Sequence, residues 1–184
     1  MTTKISAGQF PELYASMGID TSELGCIMLN LQLLDFGKFP GLEEDDLYFS
    51  PSQEFVQGKV ADHKAHATLL FGLMKKGSLM RPLVDTVLKD WKKPASVKIE
   101  SLGVFPGKEE DGTEYSCIVA HLDDKDLVEA NSRLRLLPHI DTFPEFRAHM
   151  TIAYVKPEAT TEWLEALSSL VGSSVKTADL NYGK

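Results

Sequence analysis

Apolar residues along this chain fall into two kinds of run: short stretches rich in Ile, Leu and Val with the two-residue period of strands, and longer stretches with the period of helices. Gly25–Leu34 reads as a strand, with Leu29, Leu31 and Leu33 on one face and Asn30 and Gln32 on the other. Residues 35–65 are loop-rich, carrying Gly37, Pro40, Gly41, Pro51 and an acidic run Glu43–Asp46 expected to be a solvated loop. His66–Leu73 is a second strand. A helix is predicted over Leu79–Trp91, where Met80, Leu83, Val84, Val87, Leu88 and Trp91 recur at helical spacing, Ser78 caps the start and Pro82 falls in the first turn. Strands at Val97–Phe105 and Tyr115–Leu122 follow, joined by the polar hairpin loop 107–112. A helix over Leu127–Leu137 stops at Pro138, and His149–Val155 is a strand. Another helix over Thr161–Val171 places Trp163, Leu164, Leu167 and Leu170 on one face before Gly172, and Val175–Tyr182 is the last strand. Residues 1–24 read as a short leader with a helix around Pro11–Met17, leaving 25–184 as one domain.

The order of these elements repeats. A strand opening on His-x-Thr, then a helix, then a strand opening on Val-Lys occurs at His66, Leu79 and Val97-Lys98, and again at His149, Thr161 and Val175-Lys176. The offsets of 83, 82 and 78 residues are nearly constant, as an internal duplication requires. Locally, Lys64-Ala-His66-Ala-Thr68-Leu matches Arg147-Ala-His149-Met-Thr151-Ile. With 5 His and 11 Thr in 184 residues, chance supplies about 0.3 His-x-Thr triplets. Two triplets, each followed by an apolar residue and preceded by a basic one, exceed chance.

Residues two apart on a strand project from one face, so His66 points with Thr68 and His149 with Thr151, while Leu69, Phe71, Ile152 and Tyr154 are expected to turn into the core. Two lobes related by an approximate twofold bring both pairs into one cleft. Imidazole titrates near neutrality, so one ring can act as base while the other acts as acid, the pair that in-line displacement at phosphorus needs. The hydroxyls of Thr68 and Thr151 can donate to the non-bridging oxygens, where transition-state charge spreads. Lys64 and Arg147 can add positive charge at the same face. Tyr48, Phe105 and Tyr182, at loop or strand ends, are candidates to stack on a base. His63 is read as a loop residue near the cleft, and His121 and His139, which lack a repeat partner, as structural.

Composition narrows the substrate and excludes other chemistries. The 43% hydrophobic and 25% charged residues are ordinary for a globular chain, and 184 residues bury roughly two thirds of their unfolded surface, enough for a core without metal or disulfide staples. The net charge of -8, from 19 Lys plus Arg against 27 Asp plus Glu, opposes duplex nucleic acid but allows a small anion in a locally basic pocket. Cys26 and Cys117 form no CxxC pair and are expected to be buried strand residues in a reducing compartment. The N-terminus lacks the apolar core of a signal peptide, and no run approaches the ~20 apolar residues of a membrane span. A cytoplasmic monomer without metal or cofactor is expected. HExxH, GxSxG, the P-loop and GxGxxG are all absent, which disfavours zinc hydrolase, serine hydrolase and nucleotide-fold readings.

The paired motifs His66-Ala-Thr68-Leu69 and His149-Met-Thr151-Ile152 resemble those of the 2H phosphoesterase superfamily, the LigT-like or 2′-5′ RNA ligase-like proteins. The resemblance implies an α+β fold with two pseudo-twofold-related lobes, antiparallel sheets lining a central cleft, and helices outside. It also implies metal-independent cleavage of phosphodiesters of nucleotides or RNA ends by His66, Thr68, His149 and Thr151. The segments HATLLFGL and LLPHIDTFPEFRAHMTIAYV are most similar to the phage anti-CBASS branch, which destroys cyclic oligonucleotide signals in the host cytoplasm. The expected substrate is then a cyclic di- or trinucleotide. The alternatives are an RNA-end 2′,3′-cyclic phosphate or 2′-5′ link, and a non-catalytic nucleotide sponge.

Overall fold

Six antiparallel strands close into a ring in the computed structural model, which describes residues 24–32, 38–52, 56–60, 64–123, 125–141 and 145–183. They are β1 (Gly25–Leu31), β2 (His66–Leu73), β3 (Ser96–Lys108), β4 (Glu114–Leu122), β5 (His149–Val155) and β6 (Ser174–Gly183), in the order β1-β2-β5-β4-β3-β6. Helices α1 (Gly77–Val87), α2 (Lys125–Leu134) and α3 (Thr160–Ala166) complete the mixed α+β architecture, α3 continuing into a 3-10 turn at Leu167–Leu170. The leader, its helix at Pro11–Met17 and His63 lie outside the described residues.

The ring consists of two halves. β6-β1-β2 and β3-β4-β5 are each paired along most of their length, whereas β2 meets β5 at the single register pair Ala67 with Met150. β3 meets β6 only through Ser96–Lys98 and Ser174–Lys176. Both seams fall on the internal repeat: Ala67 and Met150 each follow a motif histidine, and Val97 pairs with its repeat equivalent Val175. Residues that pair with their own equivalents lie on the pseudo-twofold axis, so the sequence duplication is also the symmetry of the fold. The expected two sheets are therefore continuous, joined at two short seams.

The core follows from the apolar faces. Ile27, Leu29 and Leu31 of β1 and Ile118, Ala120 and Leu122 of β4 are buried with Met80 and Val84 of α1, Leu127, Ala130 and Leu134 of α2, and Trp163 with Leu167 and Leu170. Helix α1 starts two residues earlier than predicted, with Lys76 rather than Ser78 at its N-cap and no side-chain cap. Gly77 explains the entry: a Cβ there would lie 2.6 Å from the Gly183 carbonyl oxygen and 2.7 Å from that of Cys26. Pro82 is consequently past the first turn, on an exposed face where water can serve the carbonyl that its missing N–H leaves free.

Part of the loop-rich stretch 35–65 is packed against a strand. Residues 47–48 and 58–60 run beside the outer half of β5, where Tyr48 N–H donates to the Tyr154 carbonyl (2.9 Å) and Tyr154 N–H to the Gly58 carbonyl (3.0 Å). Asp46, expected in a solvated run, accepts the indole N–H of Trp163 at 3.0 Å. These residues thus wall one side of the seam between β2 and β5.

Candidate active site

The two motifs meet at that seam. With Ala67 opposite Met150, the register places His66 across from Thr151 and His149 across from Thr68. The imidazoles take diagonal positions, which an antiparallel ladder sets at roughly 7–8 Å. All four side chains are half-exposed, while Ala67, Leu69, Met150 and Ile152 between them are buried.

Each histidine is oriented by the chain just before it. His66 Nδ1–H donates to the Lys64 carbonyl at 2.8 Å and His149 Nδ1–H to the Arg147 carbonyl at 2.9 Å. A carbonyl only accepts, so the proton of a neutral ring is held on Nδ1 and the lone pair on Nε2. Either ring can then take a proton at Nε2 or, once charged, give one from it. Lys64 and Arg147 serve the site through these carbonyls, and their side chains are exposed.

The alternation beyond the threonines departs from expectation. On β2 the register passes from Thr68 opposite Met28 to Leu70 opposite Ile27, leaving Leu69 unopposed. On β5 it passes from Thr151 opposite Val119 to Ala153 opposite Ile118, leaving Ile152 unopposed. These equivalent bulges each insert one residue and reverse the faces that follow. Phe71, 36% exposed, and half-exposed Tyr154 therefore rejoin the threonine face instead of entering the core. Tyr154 is hydrogen-bonded to Thr151, and burial pushes its phenol up to about 12.

Three more residues reach this face. Cys26 and Cys117 are half-exposed free thiols rather than core residues, lying opposite Phe71 and Tyr154. Cys117 Sγ lies 3.8 Å from Thr151 Oγ1, and Cys26 is hydrogen-bonded to Thr68. His121 of β4 stands directly opposite His149 of β5, with Asn30 in the matching place opposite His66. The His121 ring fills the space over Gly103, where a Cβ would lie 2.4 Å from Nε2, and its Nδ1 is buried with no partner among the described residues. Burial, then the charges of Arg147 and His149, hold its pKa below the usual imidazole value. Only pairing across strands reveals these residues; one matched 91-residue offset, Cys26 to Cys117, was the available signal.

The remaining candidates separate. The Phe105 ring stands edge-on to His149 at 5.1 Å and to His121 at 6.2 Å, so it belongs to the site. Tyr48 stacks on Tyr115 at 5.0 Å, and Tyr115 meets Tyr154 edge-on at 6.1 Å, so Tyr48 ends an aromatic row leading outward from Tyr154. Its hydroxyl donates to Glu109, a buried carboxylate at the tip of the β3–β4 hairpin. Tyr182 is elsewhere: its register partner is core residue Ile27, its hydroxyl donates to Asp85 of α1 at 2.6 Å, and the Arg81 guanidinium lies 5.0 Å over its ring. It packs a helix onto the far face. His139 is likewise remote from the motifs, bridging the Leu137 carbonyl and Asp141.

Apart from Phe71, which matches Tyr154, the aromatic residues are one-sided. Where β3 places Phe105 opposite Cys117, β6 places Gly183 opposite Cys26, and where β4 carries Tyr115 the equivalent residue is Leu24. No three His, Cys, Asp or Glu side chains among the described residues are grouped to hold a metal ion. No described helix is long and apolar enough to cross a membrane.

No family model and no curated protein matches the chain in sequence. Among solved structures it is similar to Usb1 of Kluyveromyces marxianus, with a TM-score of 0.49 at 12% identity over 89% of this chain and 95% of that one. A structure of the same Kluyveromyces marxianus protein with uridine monophosphate gives a TM-score of 0.44 at 12% identity over 85% of this chain and 98% of that one.

Proposed function

We propose that this protein is a phosphodiesterase that cleaves ribonucleotide phosphodiesters by histidine acid–base chemistry, acting on short RNA ends. The observation that carries this reading is the pair of equivalent imidazoles, each tied through Nδ1–H to a backbone carbonyl and set diagonally across one seam. One neutral ring removes the ribose 2′-OH proton at Nε2, and O2′ attacks the adjacent phosphorus. The P–O5′ bond breaks as the other, protonated ring gives its Nε2 proton to the leaving oxygen. The products are a 2′,3′-cyclic phosphate and a free 5′-OH. Thr68 and Thr151 donate to the non-bridging oxygens as charge builds there.

The fuller aromatic wall of Phe105 and Tyr154, which the other half matches with Phe71 alone, suits a single nucleoside beside the scissile phosphate, as a chain end presents. The second reading, a cyclic oligonucleotide of the kind used as an immune signal, is favoured by the net charge of -8, which opposes any extended polyanion. Incubation in EDTA with a short oligoribonucleotide, its 2′,3′-cyclic phosphate form, and cyclic di- and trinucleotides, with products identified by mass, tests both. Cleavage of the linear substrate with the cyclic ones intact supports RNA ends, and the converse supports the second reading. Binding without turnover of any substrate overturns the enzymatic reading. Thr68→Ala and Thr151→Ala should each lower kcat by roughly 10- to 1000-fold.

A further inference from the structure

Each motif threonine has a thiol beside it. Cys26 and Cys117 are the chain's two cysteines, and they occupy matching places on β1 and β4. Each makes a contact to its own lobe's threonine: Cys117 Sγ to Thr151 Oγ1 at 3.8 Å, Cys26 to Thr68. Other matched positions around the cleft differ between the lobes: Asn30 with His121, Phe71 with Tyr154, Gly183 with Phe105. At this position, as at the histidines and threonines themselves, both lobes carry the same residue.

We propose that Cys26 and Cys117 are positioning residues, each donating its S–H to the neighbouring threonine Oγ1 so that the threonine's own proton is left pointing into the cleft. A hydroxyl has one proton and two lone pairs. If that proton went to sulfur, a weak acceptor, none would remain for a phosphoryl oxygen. A thiol that occupies a lone pair instead fixes the rotamer and frees the proton. Burial keeps both groups in the thiol form near neutral pH, pushing Cys26 up to about 11 and Cys117 in the same direction, so both remain donors. Thr151 has a second partner in Tyr154, whereas the matching place beside Thr68 is Phe71, which has no hydroxyl. Thr68 therefore depends more on its thiol than Thr151 does.

The catalytic part of this inference rests on the phosphodiesterase reading; the direction of the S–H bond does not. The infrared S–H stretching bands of the full-length protein decide the direction, with only two thiols to assign. Thr68→Val and Thr151→Val remove the acceptor and keep the shape, so each should move one band toward the free-thiol position. Bands already at that position and unmoved by either change overturn the inference, whether or not the protein turns over any substrate. Where turnover is measured, Cys26→Ala should lower kcat about two- to fivefold with KM little changed, and Cys117→Ala should lower it less. Cys26→Ser, which keeps a donor, should restore kcat, and Cys26→Ala should add nothing in a Thr68→Ala background. Equal loss in Cys26→Ser and Cys26→Ala, or full additivity with Thr68→Ala, assigns the effect to packing and overturns positioning.

Discussion

The face that His66 shares with Thr68, and His149 with Thr151, was legible because its signal is local: a spacing of two on a strand, given twice, survives without knowledge of the fold. Phe71 and Tyr154 were not, because a bulge reverses the faces after Leu69 and Ile152, and neither residue type marks a bulge in advance. His121 has no histidine as repeat partner because its equivalent is Asn30, a different residue in the same place. The depressed pKa of His121 carries a stability consequence. As pH falls below the ordinary imidazole value of 6.5, the unfolded chain binds a proton that folded His121 still refuses, so acidification costs stability until the folded ring also titrates. His121→Asn, which copies the other lobe, should lose less Tm between pH 7 and pH 5 than the wild type in a calorimetric scan. An unchanged loss would remove His121 from the acid sensitivity.

At the scale of elements, the strands at 66–73 and 149–155 have the ends that apolar patterning predicts. Helix ends moved because tertiary contacts, not caps, fix them. Helix α1 begins at Gly77 because only a residue without a Cβ fits between its start and the strand ends at Cys26 and Gly183. The contacts there are backbone atoms, which cannot turn aside as a side chain can. Gly77→Ala should therefore destabilise by about 1–3 kcal/mol through overpacking, net of the ~1 kcal/mol that Ala gains over Gly as a helix former. The readout is a fall in Tm of roughly 2–4 °C per kcal/mol for a chain of this size. A Tm at or above that of the wild type would mean that α1 has room to move.

For the whole molecule, the duplication read from His-x-Thr and Val-Lys spacing is the symmetry of the strand registers, down to Val97 pairing with Val175. Closure of the halves into one ring was not legible, since each seam is only one to three register pairs long. The net charge of -8 acts at this scale as well. It predicts that kcat/KM for a long oligoribonucleotide rises with salt at low ionic strength, as the Debye length shortens from about 30 Å at 0.01 M to about 8 Å at 0.15 M. A fall with salt would indicate an attractive approach surface instead.

The central claim, that two equivalent histidines act as one acid–base pair without a metal, is tested most directly by the pH dependence of kcat/KM measured in EDTA on the substrate the protein cleaves. The account predicts a bell, with one limb lost in whichever of His66→Ala or His149→Ala retains measurable turnover. A flat profile across pH 5 to 9, or turnover that requires added metal, would contradict it.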